Sequence, residues 1–248
     1  DDAVKTQRTF VAPLLKELGF GATFFVTHAW MVESPDPCTK PELYLTWEEI
    51  AELHEMGFEI GNHSWIHAAF VVPEAAARMA GELALVDSAL QKVRVPRPVS
   101  YSHPGNQFGP EAMRVLKDAG YTFARRGHLP ESETPLEGIG PTYDPQKHHR
   151  LLIPSTGVSV PSWTLDTFKR VVDQARQGQI VVLQYHGVPD PHPFASTDPD
   201  LFRECMNYLK TNGFKVIAMK DLGKFLPEKD PTDPLLDTQV LAGIPESM

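Results

Sequence analysis

Leu15-Lys16-Glu17-Leu18-Gly19-Phe20, followed by Ala22-Thr23-Phe24-Phe25-Val26, decides the fold class. An amphipathic helix end runs into a glycine, which takes the left-handed conformation without steric cost and so stops the helix. An aromatic residue follows to pack the corner, and then a short apolar strand begins. The same order returns as Leu53-His54-Glu55-Met56-Gly57-Phe58 before Glu59-Ile60-Gly61. It returns again as Leu116-Lys117-Asp118-Ala119-Gly120-Tyr121 before Thr122-Phe123-Ala124, and as Leu209-Lys210-Thr211-Asn212-Gly213-Phe214 before Lys215-Val216-Ile217-Ala218. Helices alternating with short buried strands predict an α/β fold with a parallel sheet or barrel.

Other boundaries agree with this scheme. Thr46-Trp47-Glu48-Glu49 is a capping box opening the helix that Gly57 closes. Residues 73–93, with Pro73 before the first turn, read as a helix, and residues 99–102 and 179–185 read as strands. Residues 128–162 are rich in Gly and Pro and predict a long loop with a short strand at Leu151-Leu152-Ile153. One domain over residues 1–226 is expected, with a tail over 227–248 that carries Pro231, Pro234 and Pro245.

The chain has 248 residues, 42% of them hydrophobic, enough to bury the core of one barrel-sized domain. A net charge of −9 without long basic runs argues against a nucleic-acid surface or docking on anionic lipid. No apolar run approaches the roughly 18 residues of a membrane span. Cys38 and Cys205 lie in no zinc-ligating spacing and are expected as two unrelated thiols. No sequence feature sets an oligomeric state. The acidic pair Asp1-Asp2 is of the kind that ends a strand, so an upstream strand and any signal peptide are expected before it. A secreted or periplasmic setting is then the favoured one.

The chemistry-bearing residues gather at strand ends. Asp1-Asp2, His28, His63, Ser102-His103, Arg125-Arg126 and His186 each stand where a strand gives way to a loop. In a parallel barrel those ends share one face, where barrel enzymes build their sites. Asn62-His63-Ser64-Trp65-Ile66-His67 holds an HxxxH without the glutamate of HExxH, which excludes a zincin peptidase. One carboxylate and two imidazoles can hold a divalent ion with positions open to water, leaving a second carboxylate and a third imidazole as base and acid. Tyr101-Ser102-His103-Pro104-Gly105-Asn106 is a strand followed by a Pro-Gly turn and is expected to support the site. Arg125-Arg126 is either a charged loop or the positive charge that orients a base. His28 and Trp30 are candidates to line the cleft. Trp163 is either a sugar-stacking platform or a core residue at a helix start, and His148, His149 and His192 are not expected as ligands.

Asp1-Asp2-Ala3, Gly21-Ala22-Thr23-Phe24-Phe25-Val26 and Glu59-Ile60-Gly61-Asn62-His63-Ser64-Trp65-Ile66-His67 resemble the NodB-homology polysaccharide deacetylases. These are carbohydrate esterases with a distorted (β/α)7 barrel, and the resemblance extends through Leu183-Gln184-Tyr185-His186 to residues 215–219. It implies Asp1 as general base, Asp2, His63 and His67 as ligands of a divalent metal, and His186 as general acid. Leu183 would help to shape a pocket for the acetyl methyl group. Zinc is the first choice of metal, with cobalt or nickel chemically suitable. The implied substrate is an acetylated carbohydrate, N- or O-linked. The alternatives are an amidohydrolase of the same superfamily acting on a small C–N compound, or a carbohydrate-binding pseudo-deacetylase. The family's third motif places an arginine where this chain has Ser102, so Arg125 or Arg126 is expected to hold Asp1 instead. The family's Asp/Trp motif near the acid is not recognisable here, and the chain is expected to be a divergent branch.

Overall fold

The computed structural model describes residues 1–32, 36–128, 140–156, 161–177 and 179–230. Gly19, Gly57, Gly120 and Gly213 all carry positive φ, between 72° and 100°, so each of the four repeated corners turns as its sequence predicts. In chain order the main elements are α1 (Ala12–Leu18), β1 (Thr23–Val26), α2 (Trp47–Glu55), β2 (Glu59–Asn62) and α3 (Pro73–Lys92). They continue with β3 (Ser100–Ser102), α4 (Pro110–Asp118), β4 (Phe123–Arg125), α5 (Leu165–Val172) and α6 (Pro199–Thr211). Thr46 caps α2 in the expected reciprocal arrangement with Glu49.

The strands form one parallel sheet in the order β1-β2-β3-β4. Val26 pairs with Asn62 and Ser102 with Arg125, so the C-terminal ends of all four strands open on one rim. Ile153 adds a parallel bridge to Arg125 at the sheet's far side, from the short strand expected at residues 151–153.

Side-chain alternation sorts the core. Phe24 joins the apolar layer under α1, α2, α5 and α6, while its neighbour Phe25 points to the interior with Phe123, Ile153 and Met219. A second outer layer packs Met79 and Leu83 of α3 against Met113 and Leu116 of α4, over Tyr101 and Ala124. Glu59 stitches the lower end. Its carboxylate accepts from Thr23 Oγ1 and Ser100 Oγ, each at 2.6 Å, and from the Lys220 backbone N–H at 2.8 Å.

Two expected strands take a different form. Residues 179–185 and 215–218 join no ladder; Ile180 makes an isolated antiparallel bridge to Tyr143, and other contacts are single hydrogen bonds such as Gly21 N–H to Val216 O at 3.1 Å and Thr156 N–H to Val182 O at 3.0 Å. A cavity of about 790 Å³ lies between β1 and these two segments. Gly21 marks a close approach, since a Cβ there would stand 2.7 Å from Ala218 N. Trp163 is buried in the main core ahead of α5, so it is a core residue and no stacking platform. Cys38 and Cys205 are both free thiols. The expected tail is described only to Asp230, whose carboxylate holds Arg150 at 2.8 Å; residues 231–248 and parts of the expected loop at 129–139 and 157–160 lie outside the described residues. Among the described residues no helix is long and apolar enough to cross a membrane.

Candidate metal centre and active site

His63 follows directly on β2, and its backbone N–H donates to Val26 O at 3.0 Å, prolonging the ladder to the rim. Its ring is fixed from the neighbouring strand, because Nδ1–H donates to the Ser102 carbonyl at 2.8 Å. That hydrogen bond selects the tautomer whose Nε2 carries a lone pair. After His63 the chain makes a tight turn and not a helix. Ser64 N–H donates to Asn62 Oδ1 at 2.9 Å, and the N–H groups of Trp65 and Ile66 both donate to Glu82 Oε2 at 2.9 Å. The turn brings His67 back beside His63, with ring centroids 4.8 Å apart.

Asp2 lies opposite. Its Oδ1 is 3.5 Å from His63 Nε2 and 3.4 Å from His67 Nε2, and the three donor atoms all fall within 4.8 Å of one another. Asp2, Ala3, Ser64 and His67 all carry positive φ, from 55° to 72°. Such conformations cost about 1–3 kcal/mol each in non-glycine residues and persist where the surroundings enforce them, often at functional sites. Burial disfavours the Asp2 carboxylate, but the His63, His186 and His67 imidazoles outweigh it and hold the pKa well below the usual range. Burial also drives His63 well below its ordinary value, which keeps it neutral. Asp2 Oδ1 is a buried acceptor with no hydrogen-bond partner. An anionic oxygen facing the His63 Nε2 lone pair, with His67 Nε2 at 3.4 Å, is electrostatically incomplete without a cation. The donor set therefore fits a divalent metal ion, with two nitrogens and one oxygen suited to zinc.

Asp1 is clamped beside this triad. Arg125, at the end of β4, donates from Nη2 to Asp1 Oδ2 at 2.6 Å, with both side chains almost wholly buried. The same guanidinium donates to Ser102 Oγ and, through Nη1, to Asn106 Oδ1 at 3.0 Å. Burial lowers Arg125 to about 9, so it stays protonated at neutral pH. Gln184 Nε2 makes a second donation to Asp1 Oδ2 at 3.0 Å. Ser102 thus occupies the place where the resemblance expects an arginine, and the arginine arrives from the next strand to bond that serine.

His186 completes the cluster, its Nε2 3.7 Å from Asp2 Oδ2. Burial lowers its pKa to about 4, against the opposing pull of Asp2, and Nδ1 is buried without a partner. The other expected residues divide. Arg126 is fully buried and donates to the backbone carbonyls of Leu152 at 3.1 Å and Gly127 at 3.3 Å, a structural role in the adjoining loop. His103 points between Tyr101 and Phe108, and burial lowers it to about 3. Pro104 is buried, Gly105 is exposed with φ 59°, and the turn they form carries Asn106 to Arg125. Leu183 lines the large cavity, which reaches Asp1, Arg125 and His186 at one end.

Three supporting residues escape a reading of motifs, Gln7, Glu82 and Gln184, while Asn106 belongs to the 101–106 stretch expected to support the site. Buried Gln7 donates through Nε2 to the Asp1 carbonyl and, at 3.3 Å, to the His186 carbonyl, tying the acidic pair to the segment that carries His186. Gln184 alone left a signal, since it stands two residues before His186 and so on the same side of an extended segment.

The family model for polysaccharide deacetylase matches residues 1–124. The chain belongs to the polysaccharide deacetylase family. Membership supports the removal of acetyl groups from polysaccharides by hydrolysis. No curated protein sequence matches the chain. Among solved structures, it is similar to a family 4 acetyl xylan esterase from Clostridium thermocellum in complex with a cobalt ion. The identity there is 22% and the TM-score 0.56, over 93% of this chain and 90% of that one. It is also similar to a protein from Mycobacterium smegmatis described as a polysaccharide deacetylase, with 17% identity and a TM-score of 0.61, over 93% of this chain and 82% of that one. A de-N-acetylase from Aggregatibacter actinomycetemcomitans overlaps less, over 52% of this chain and 62% of that one, with 18% identity and a TM-score of 0.46. The two longer matches give the family's fold as a distorted (β/α)7 barrel, of which the four-stranded parallel sheet is one side.

Proposed function

We propose that the protein is a divalent-metal-dependent hydrolase that removes N- or O-linked acetyl groups from a polysaccharide or oligosaccharide. The observation that carries this reading is the convergence of Asp2, His63 and His67 on one point, with a second carboxylate, Asp1, clamped beside it. Asp2, His63 and His67 would hold the ion, zinc by preference and cobalt or nickel as alternatives. A metal ion in that place supplies Lewis acidity and makes water more acidic.

Arg125 and Gln184 both grip Asp1 Oδ2, so Oδ1 is the oxygen left to take a proton from the attacking water. The guanidinium holds the Asp1 carboxylate aimed, which a base requires before its pKa matters. The N–H groups after the Pro104-Gly105 turn are taken, Asn106 by His103 O at 3.0 Å and Gln107 by Pro104 O at 3.2 Å, so they offer no donor to the developing oxyanion. His186 would give its Nε2 proton to the departing amine or alkoxide. Asp2 Oδ2 at 3.7 Å favours the protonated imidazole that this step needs. The arginine–carboxylate pair counts against a binding-only protein, because a lectin-like role needs no buried, oriented base.

The test is acetate release from N-acetylated and O-acetylated oligosaccharides by protein reconstituted with zinc, cobalt or nickel. Release that stops with a chelator and returns with the ion is expected. No acetate from any substrate by metal-loaded protein, or release indifferent to the chelator, would overturn the reading.

A further inference from the structure

The two imidazoles of the metal centre are held in unequal ways. His63 prolongs a ladder, and neighbouring strands fix both its backbone and its ring, through Val26 O at 3.0 Å and Ser102 O at 2.8 Å. His67 stands on no strand. Its place depends on the turn from Ser64 to His67, whose first and last residues carry φ of 60° and 55°. Non-glycine residues keep that conformation only where other contacts enforce it.

The enforcing contacts come from three elements. Just past β1, the His28 N–H and Thr27 Oγ1 donate to the Trp65 carbonyl at 3.1 and 3.3 Å. At the end of β2, Asn62 Oδ1 accepts from Ser64 N–H at 2.9 Å, and Ser64 Oγ in turn accepts from Ala68 N–H at 3.0 Å. The two N–H groups in the middle of the turn, of Trp65 and Ile66, share one atom of α3, Glu82 Oε2, at 2.9 Å each. Consecutive backbone N–H groups that point to one spot form a concavity for an anion. Here a side chain of the protein itself fills it. Buried Met79, Leu83 and Val86 anchor α3 on either side of Glu82, so the carboxylate is offered from a rigid element. Ile66 is half exposed, and water is the alternative partner for its N–H once the carboxylate is removed.

We propose that Glu82 is a positioning residue for metal binding: it locks the Ser64–His67 turn so that the His67 ring meets Asp2 and His63, and it sets metal affinity while standing outside the Asp2, His63, His67 ligand set. This role rests on the metal-dependent reading of the site and names what makes one of the three ligands available. The charge of Glu82 matters as well as its reach, because an ionised acceptor binds N–H groups more strongly than a neutral one. A ligand already aimed before the ion arrives loses little freedom on binding it.

The experiment measures zinc affinity by competition with a chromophoric chelator, and the visible absorption spectrum of cobalt-loaded protein. Glu82→Ala should weaken zinc binding roughly ten- to a hundredfold, the usual effect of removing a group that orients a metal ligand. Its cobalt spectrum should shift toward that of His67→Ala, because both variants take the same imidazole from the ion. Glu82→Gln keeps an acceptor oxygen but not the charge, and should weaken zinc roughly three- to tenfold. Wild-type zinc affinity in folded Glu82→Ala would overturn the role, and where the alanine variant does not fold, wild-type affinity in Glu82→Gln would do so. Weakened zinc binding with an unchanged cobalt spectrum would also overturn it, since the loss would then not pass through His67. These outcomes leave the metal-dependent reading standing. Wild-type protein that binds neither ion would instead sink that reading, and the role of Glu82 with it.

Discussion

On one side of the barrel mouth His63 follows directly on β2, and Ser102 and Arg125 end β3 and β4, so a continuous ladder sets their spacing. On the other side His186 follows residues 179–185, which join no ladder and border the 790 Å³ cavity. The first side is held by backbone geometry: a strand carbonyl fixes the His63 ring, and register alone puts Arg125 next to Ser102. The second is held by side chains reaching across, with Gln7 on the His186 carbonyl and Gln184 on Asp1. Preorganisation in the ladder side comes with the fold, whereas on the cavity side it depends on a few polar residues. The family match over residues 1–124 covers β2 and β3 and stops before Arg125 and His186.

The largest effects are expected on the ladder side. His63→Ala and Asp2→Asn should each lose bound metal, measured by elemental analysis, and bring acetate release to background while the circular dichroism spectrum stays native. Asp1→Asn should keep the metal and lose turnover by roughly 10²- to 10⁴-fold, the usual worth of a general base. Full metal occupancy in Asp2→Asn together with metal loss in Asp1→Asn would reverse the two roles.

Arg125 and Arg126 offer a sharper cut, because adjacent identical residues do different work. Arg125→Met should lower kcat roughly ten- to a thousandfold, as for one positioned electrostatic contact, with metal content unchanged. Arg126→Met should instead lower the melting temperature, since its guanidinium binds buried carbonyls of the adjoining loop. Folded Arg126→Met should keep most of its turnover. Equal kinetic losses in the two variants would erase the distinction.

The smallest expected effect tests the cavity side. Gln184→Leu removes one hydrogen bond to Asp1, worth about 1 kcal/mol, so turnover should fall about fivefold with metal content intact. A loss as deep as that of Asp1→Asn would show that the cavity side governs the base as strongly as the ladder side.

The sequence by itself determined the periodic part of the protein. Four glycine corners fixed where helices end, and strand ends marked Asp1-Asp2, His28, His63, Ser102-His103, Arg125-Arg126 and His186 as candidates for one face, with His67 added by the HxxxH spacing, because a parallel sheet brings all its C-terminal ends to one rim. Local chemistry sufficed there, since helix stops and strand alternation depend on neighbours only a few residues apart. Tertiary structure decided what depends on distant partners. Whether Arg125 or Arg126 grips Asp1 follows from side-chain alternation on β4 relative to a carboxylate 124 residues away, and pattern alone leaves both open. Whether His103 serves the site depends on Tyr101 and Phe108 enclosing it, which no spacing announces. Whether residues 179–185 pair as a strand depends on a neighbouring backbone being within reach, and only an isolated bridge from Ile180 to Tyr143 is formed among the described residues. Strand propensity is a property of the segment, but a ladder is a property of the pair.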